Sequence, residues 1–90
     1  MCKVREFIIN NEAGIHARPA THFVEIVANY ESEVNVTNLD NGITANGRSI
    51  ISMLMLTAQK GHKIRLQING NDEDELMDAL TGLIESNFNE

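Results

Sequence analysis

The sequence has one cysteine, one proline and no tryptophan. Because Cys2 has no partner in the chain, no internal disulfide can hold the fold together, which suits a reducing cytosol. Lys and Arg number seven against thirteen Asp and Glu, a net charge of −6, and the scattered basic residues argue against a nucleic-acid partner. No stretch approaches the roughly 18 apolar residues of a membrane span, and residues 3–10 look like a strand rather than a signal peptide. We therefore expect a cytoplasmic protein without membrane insertion.

The composition fits one small globular domain. The chain has 90 residues, of which 42% are hydrophobic, and it shows no repeat, low-complexity tract or linker. Its six glycines stand singly at plausible ends of elements. We expect residues 1–90 to form a single domain that acts as a monomer and binds other proteins.

The first half of the chain predicts a strand, a helix and a hairpin. Residues 3–10 are rich in Val, Phe and Ile, as strands are. Residues 17–30 carry apolar side chains at helical spacing, and Pro19 fits the first turn of that helix. Residues 33–37 alternate around two valines, and after turn signals residues 43–45 can run back antiparallel to them.

The second half predicts two helices around one strand. Ser49 as an N-cap favours a helix over 49–57, with Gly61 as a later stop. Residues 63–68 alternate apolar and polar side chains like a half-buried strand. A last helix begins at Asn71 or Asp72, with Asp72 and Glu75 spaced like a capping pair. Its buried stripe is predicted to be Leu76, Ala79, Leu80, Leu83 and Ile84.

The resulting order, βαββαβα, predicts an α+β fold. Strands joined in this order form a four-stranded antiparallel sheet with three helices packed on one face.

The segment from Gly14 to Ala20 is where chemistry is expected. A histidine at the mouth of a helix lies beside unpaired backbone N–H groups, which together with the helix dipole can hold a phosphoryl group. His16 has that position, Arg18 supplies a planar fork of donors, and Gly14 allows an unusual turn before it. An imidazole is also a competent nucleophile near neutral pH. From the residues alone, a capping histidine beside a surface arginine is the alternative.

The sequence Gly-Ile-His-Ala-Arg-Pro-Ala over 14–20 resembles the active-site signature of the histidine-containing phosphocarrier (HPr) family of the phosphoenolpyruvate-dependent phosphotransferase system, which includes its nitrogen-branch relative NPr. The resemblance extends over nearly the whole chain, through Phe23-Val24, Ser49-Ile50, Lys60-Gly61 and the acidic start of the last helix. The segments 49–56 and 87–90 look slightly closer to NPr than to HPr.

The resemblance implies a function. His16 would be phosphorylated on Nδ1 and Arg18 would assist the transfer. From the residues themselves, Gly14 and the backbone N–H of Ala17 are expected to support the phosphoryl group. The fold would be an open-faced β-sandwich, the donor enzyme I and the acceptor an enzyme IIA domain. The protein would be a substrate of phosphotransferases rather than an enzyme, without a metal or cofactor of its own. The alternative is a regulatory module that binds proteins through the same face without transferring phosphate.

Ser49 has two interpretations. The resemblance aligns it with a serine that an HPr kinase/phosphorylase modifies in some family members. A serine that opens a helix is otherwise simply an N-cap.

Residues 49–57 have more apolar side chains than one helix face can bury, which indicates docking. Ile50, Ile51 and Leu54 share one side by helical spacing, and the resemblance makes that side the partner surface. The alternative is that all of these side chains belong to the core together with Met53 and Leu56.

The basic residues near His16 and near Ser49 predict a charged patch. Arg18 beside His16 and Arg48 beside Ser49 are expected to form a small positive patch on an otherwise acidic molecule, and Arg48 is expected to take part in partner docking. His22 and His62 do not have metal-ligand spacing with His16.

Overall fold

The strands form one antiparallel sheet. The computed structural model describes residues 2–90, and its four strands are Cys2–Ile8 (β1), Glu33–Asn38 (β2), Thr44–Asn46 (β3) and Lys63–Asn69 (β4). Their order across the sheet is β1-β4-β2-β3, and every neighbouring pair is antiparallel. The predicted sheet and its β2–β3 hairpin are confirmed.

Three helices occur within residues 2–90: Ala17–Val27 (α1), Ile50–Leu54 (α2) and Glu73–Glu85 (α3). A single turn over Asn87–Asn89, which the sequence pattern did not predict, follows α3. The α+β fold and the element order βαββαβα are thus confirmed. None of these helices is both long enough and apolar enough to span a membrane.

The alternation along β4 separates the two faces of the sheet. Ile64, Leu66 and Ile68 are buried under the helices, while Lys63 and Gln67 lie on the open face. This pattern confirms the half-buried strand that the sequence predicted. The core of buried hydrophobic side chains comprises Ile9, Ile15, Ala20, Phe23, Val27, Val34, Val36, Ala45, Met53, Leu56, Ala58, Ile64, Leu66, Ile68, Leu76, Met77, Leu80, Leu83, Ile84 and Phe88.

The first strand and the first helix end earlier than predicted. β1 stops at Ile8, since Ile9 exchanges backbone hydrogen bonds with the loop at Gly61 and His62 instead of extending the strand. α1 stops at Val27: the N–H of Ala28 makes the last bond to a carbonyl four positions back, while those of Asn29 and Tyr30 bond to carbonyls only three positions back.

The second helix is also shorter than the predicted 49–57. Ser49 is its N-cap, as predicted, and accepts a hydrogen bond from the N–H of Ser52. The helix ends at Leu54, and Thr57 has a left-handed φ of 47° that a continuing helix does not permit. Gly61 is therefore not its stop.

Asp72 opens α3, but the predicted capping pair with Glu75 is wrong. The Asp72 carboxylate accepts hydrogen bonds from the Ser32 hydroxyl and from the N–H groups of Glu31 and Ser32, which ties α3 to the start of β2. These bonds favour the ionised form and lower the pKa of Asp72.

The buried face of α3 differs from the predicted stripe at two positions. Met77 is buried as well, whereas Ala79 is only half-buried.

Candidate functional site

His16 stands at the N-cap of α1 with its imidazole free of any capping role. Its backbone is extended and its carbonyl accepts the first helical hydrogen bond from Ala20, 3.0 Å. Its side chain makes no cap hydrogen bond and is 41% exposed. The capping-histidine interpretation is therefore wrong, and the ring is accessible for chemistry.

The loop before His16 is fixed by backbone contacts. Gly14 has a φ of +66°, its N–H bonds to the Asn11 carbonyl, and the Asn11 amide bonds back to the Gly14 carbonyl at 2.6 Å. The next residue, Ile15, is buried and donates its N–H to the Ala58 carbonyl at 2.8 Å. The loop thereby fixes the position from which the imidazole projects.

The first turn of α1 is suited to an anion. The N–H groups of Ala17 and Arg18 are the first two of the helix and have no intrahelical acceptor, while Pro19 has no N–H to offer. No acidic residue lies in this turn, so nothing within it offsets the positive end of the helix dipole. His16, Ala17 and Arg18 line a shallow open hollow together with Thr21 and His22.

A carboxylate from the far end of the described chain reaches this hollow. Glu90 Oε1 lies 3.2 Å from His16 Nε2, and Glu90 Oε2 lies 4.0 Å from Arg18 Nη1. The sequence contained no local signal for this contact, because 74 positions separate the two residues. Only the packing of the chain after α3 brings them together.

The exposed side of α2 is apolar. Ile51 is 69% exposed and Ile50 is partly exposed, while Met53 and Leu56 are fully buried, as the predicted division into two sides requires. Leu54 is half-buried against the core. Met55, which the sequence pattern did not single out, is 65% exposed and extends the apolar surface. Because α2 packs against α1, this surface and His16 are carried by adjoining helices.

The predicted positive patch joining Arg18 and Arg48 is wrong. The Arg48 guanidinium donates to the carbonyl of Val27, the last residue of α1, and to the carbonyls of Tyr30 and Ser32 in the segment that follows. Arg18 lies in the first turn at the other end of α1, and an 11-residue helix is about 16 Å long. Arg48 therefore places a cation at the C-terminal end of α1, whose own last turn has no basic residue.

His62 has a structural setting. Its Nδ1 accepts a hydrogen bond from the Gln59 N–H and lies 3.2 Å from the Asn38 amide nitrogen. His62 thereby stabilises the turn between α2 and β4 against the end of β2. Residues 2–90 contain no group of three or more His, Cys, Asp or Glu side chains placed to hold a metal ion.

An accessible histidine at the mouth of a helix, on a four-stranded antiparallel sheet covered by three helices, defines the class of small histidine phosphocarriers. The family model described as "PTS HPr component phosphorylation site" matches residues 3–86. The chain therefore belongs to the HPr family of the phosphotransferase system, whose members are phosphoryl carriers rather than catalysts in the usual sense.

Curated relatives include both branches of the family. The phosphocarrier protein NPr of Proteus mirabilis is 39% identical and covers 100% of this chain and 99% of its own. The phosphocarrier protein HPr of Neisseria meningitidis serogroup A is 44% identical, covering 91% of this chain and 90% of its own. The multiphosphoryl transfer protein of Salmonella typhimurium is 40% identical over 94% of this chain, which spans only 23% of that longer relative.

A solved structure agrees with the fold. HPr-C-His from Thermoanaerobacter tengcongensis superposes with a TM-score of 0.89 at 38% identity, covering 98% of this chain and 97% of its own.

Proposed function

We propose that His16 carries a phosphoryl group between proteins of the cytoplasm, accepting it on Nδ1 from enzyme I and passing it to an enzyme IIA domain. In the accepting step the Nδ1 lone pair forms a bond to phosphorus, while the bond from phosphorus to the donor atom breaks and its electron pair stays with the donor. Transfer to the acceptor repeats this exchange with His16 as the leaving group. The protein is then a substrate of two transfers.

The observation that supports this role most directly is the imidazole of His16, exposed at the N-terminus of α1 and uncommitted to capping. A phosphoryl group on that ring lies within reach of the N–H groups of Ala17 and Arg18 and of the helix dipole. Gly14 supports the group indirectly by shaping the loop. Transfer of this kind requires positioning and charge stabilisation, which the chain's own groups supply.

Arg18 is free to follow the phosphoryl group. Its side chain is 75% exposed, and its only ion pair within residues 2–90 is the 4.0 Å approach to Glu90, which is weak at such exposure. The planar guanidinium can bind two phosphoryl oxygens at once.

Partners are proposed to dock on the apolar surface of α2 formed by Ile50, Ile51 and Met55, with the half-buried Leu54 at its edge. Such a surface excludes water from the contact and places the partner against the helix that carries His16. Both enzyme I and the IIA domain would use it in turn.

Phosphoryl labelling tests the carrier role. Incubation with labelled phosphoenolpyruvate and either a sugar-branch or a nitrogen-branch enzyme I is expected to give acid-labile label that disappears in His16→Ala and persists in Ser49→Ala, because His16 is the acceptor. The faster enzyme I identifies the branch.

A separate incubation with an HPr kinase/phosphorylase tests Ser49. If this enzyme adds acid-stable label that Ser49→Ala removes, a second phosphorylation site lies at the α2 N-cap.

Labelling that survives in His16→Ala would contradict the proposal. Binding of enzyme I or a IIA domain without any labelling would favour the regulatory module instead.

Replacing Ile51 by Ser tests the docking surface. We expect partner affinity to fall roughly tenfold, because about 1.5 kcal/mol of apolar burial is lost from the contact. Val4→Ser is the matched control, since Val4 is 54% exposed on the opposite, open face of the sheet. Titration calorimetry with enzyme I or a IIA domain measures both, and equal losses in the two variants would show that α2 is not the docking surface.

A further inference from the structure

We infer that Glu90 is a positioning residue, whose carboxylate holds the His16 ring in the tautomer that leaves Nδ1 free to attack phosphorus. The inference rests on the proposed carrier function and adds to it a residue outside the signature segment. Glu90 would act through His16 and would not itself contact the phosphoryl group in this role.

The Glu90 and His16 side chains are in direct contact. Glu90 Oε1 lies 3.2 Å from His16 Nε2. An ionised carboxylate only accepts hydrogen bonds, so this contact requires the hydrogen of a neutral imidazole to be on Nε2. The lone pair is then on Nδ1, the atom that the proposed transfer uses. The opposite tautomer would set the Nε2 lone pair against a carboxylate.

Glu90 is held in place from the other side. The turn Asn87–Asn89 that precedes it contacts both α1 and α3, and Phe88 at its centre is 1% exposed in the core. Ser86 Oγ donates to the Leu83 carbonyl and lies 3.3 Å from the N–H of Asn89, which closes the turn. The Glu90 side chain itself is 21% exposed, less than either His16 or Arg18.

The stability gained from this contact is small, because the histidine is partly exposed and solvent screens the charges. The proposed effect is on ring orientation and proton position. A carboxylate that orients a functional imidazole fixes its tautomer and ring position, so the effect of Glu90 is expected in the transfer rate.

The experiment measures the tautomer directly. In wild type at about pH 8.5, two units above the ordinary pKa of an imidazole, the 15N chemical shifts of His16 are expected to show hydrogen on Nε2 almost exclusively. Glu90→Gln should shift them toward the mixture of tautomers of a free imidazole, because an amide can donate as well as accept. Glu90→Asp keeps the acceptor-only group and should retain part of the preference.

Glu85→Gln is the matched control. It removes the same charge from the exposed last residue of α3, where it has no ion pair within residues 2–90, and should leave the tautomer and the transfer rate at wild-type values. Glu90→Gln should accept phosphoryl from enzyme I roughly tenfold more slowly, the low end of the range for losing an orienting partner, while the final label remains acid-labile and on His16.

The outcomes separate the two proposals. Identical tautomer populations in wild type and Glu90→Gln would overturn the role of Glu90, and so would a changed tautomer with an unchanged rate. Complete absence of labelling in wild type would overturn the carrier function, while the NMR measurement would still report the Glu90–His16 contact.

Discussion

Gly14→Ala is expected to destabilise the protein by about 3–4 kcal/mol. The left-handed φ of +66° costs an alanine about 1–2 kcal/mol. The added methyl group would in addition collide with the Ala58 carbonyl oxygen and come within 2.8 Å of Gln59 Cα. Both obstacles are backbone, which cannot turn aside as a side chain can, and overpacking of this kind costs about 1–3 kcal/mol more. Urea denaturation gives the change in the free energy of unfolding.

Gly42→Ala is the control for that substitution. Gly42 also has a positive φ, of 78°, but a methyl group built there meets no atom within 4 Å. It should therefore show only the backbone cost of about 1–2 kcal/mol. If Gly14→Ala is no more destabilising than Gly42→Ala, the expected collision with the Ala58 carbonyl does not occur, and the loop is more adaptable than its contacts indicate.

The position of Gly14 links stability to the site. The collision would push the loop away from Ala58, and the hydrogen bond from Ile15 to that same carbonyl is the last backbone tie before His16. Phosphoryl acceptance by the folded fraction of Gly14→Ala should consequently fall as well, because transfer depends on a well-positioned acceptor.

The parts of the fold that follow local patterns could be predicted from the sequence. The alternation around Ile64, Leu66 and Ile68 determines which face of β4 is buried, and Pro19 together with the apolar spacing locates α1. The candidate site could be located in the same way, since His16 and Arg18 lie within one contiguous segment. Such signals depend only on neighbours in the chain.

The polar contacts that close the fold were beyond prediction. Arg48, Asp72 and Glu90 each satisfy groups 16 to 74 positions away in the sequence. The local sequence predicts a surface patch for Arg48 and a helix cap for Asp72, and it predicts no contact for Glu90. Their actual partners are backbone groups, the Ser32 hydroxyl and a histidine, and these come within reach only once the elements have packed.

The ends of the helices also depend on contacts that local patterns do not show. α1 and α2 were predicted too long because apolar spacing continues past the last helical hydrogen bond. Arg48 donates to the carbonyls of Val27 and Tyr30 where α1 ends, and Thr57 has a left-handed φ after the end of α2. The spacing of apolar residues along the chain does not indicate where a distant side chain will cap a helix, so helix ends are predicted less well than helix positions.

Phe88→Ala is expected to cost about 3–4 kcal/mol and also to disturb the site. Phe88 is 1% exposed, so truncation loses its apolar burial and leaves a cavity. It also has a left-handed φ of 58°, flanked by Asn87 and Asn89 at similar values. A bulky residue adopts that conformation only when its surroundings compensate, and the buried ring supplies the compensation.

Leu66→Ala provides the comparison for Phe88→Ala. Leu66 is fully buried in β4, and its truncation should cost about 2–5 kcal/mol without altering the turn at Asn87–Asn89. Denaturant unfolding measures both losses, and Phe88→Leu serves as a milder variant that remains folded.

The tautomer of His16 tests the link between this turn and the site. If the turn holds Glu90 in place, Phe88→Leu and Phe88→Ala should move the His16 tautomer toward the mixture expected for Glu90→Gln, although the carboxylate is still present. Leu66→Ala should not. A loss of stability at Phe88 with an unchanged tautomer would mean that Glu90 reaches His16 without the help of the turn.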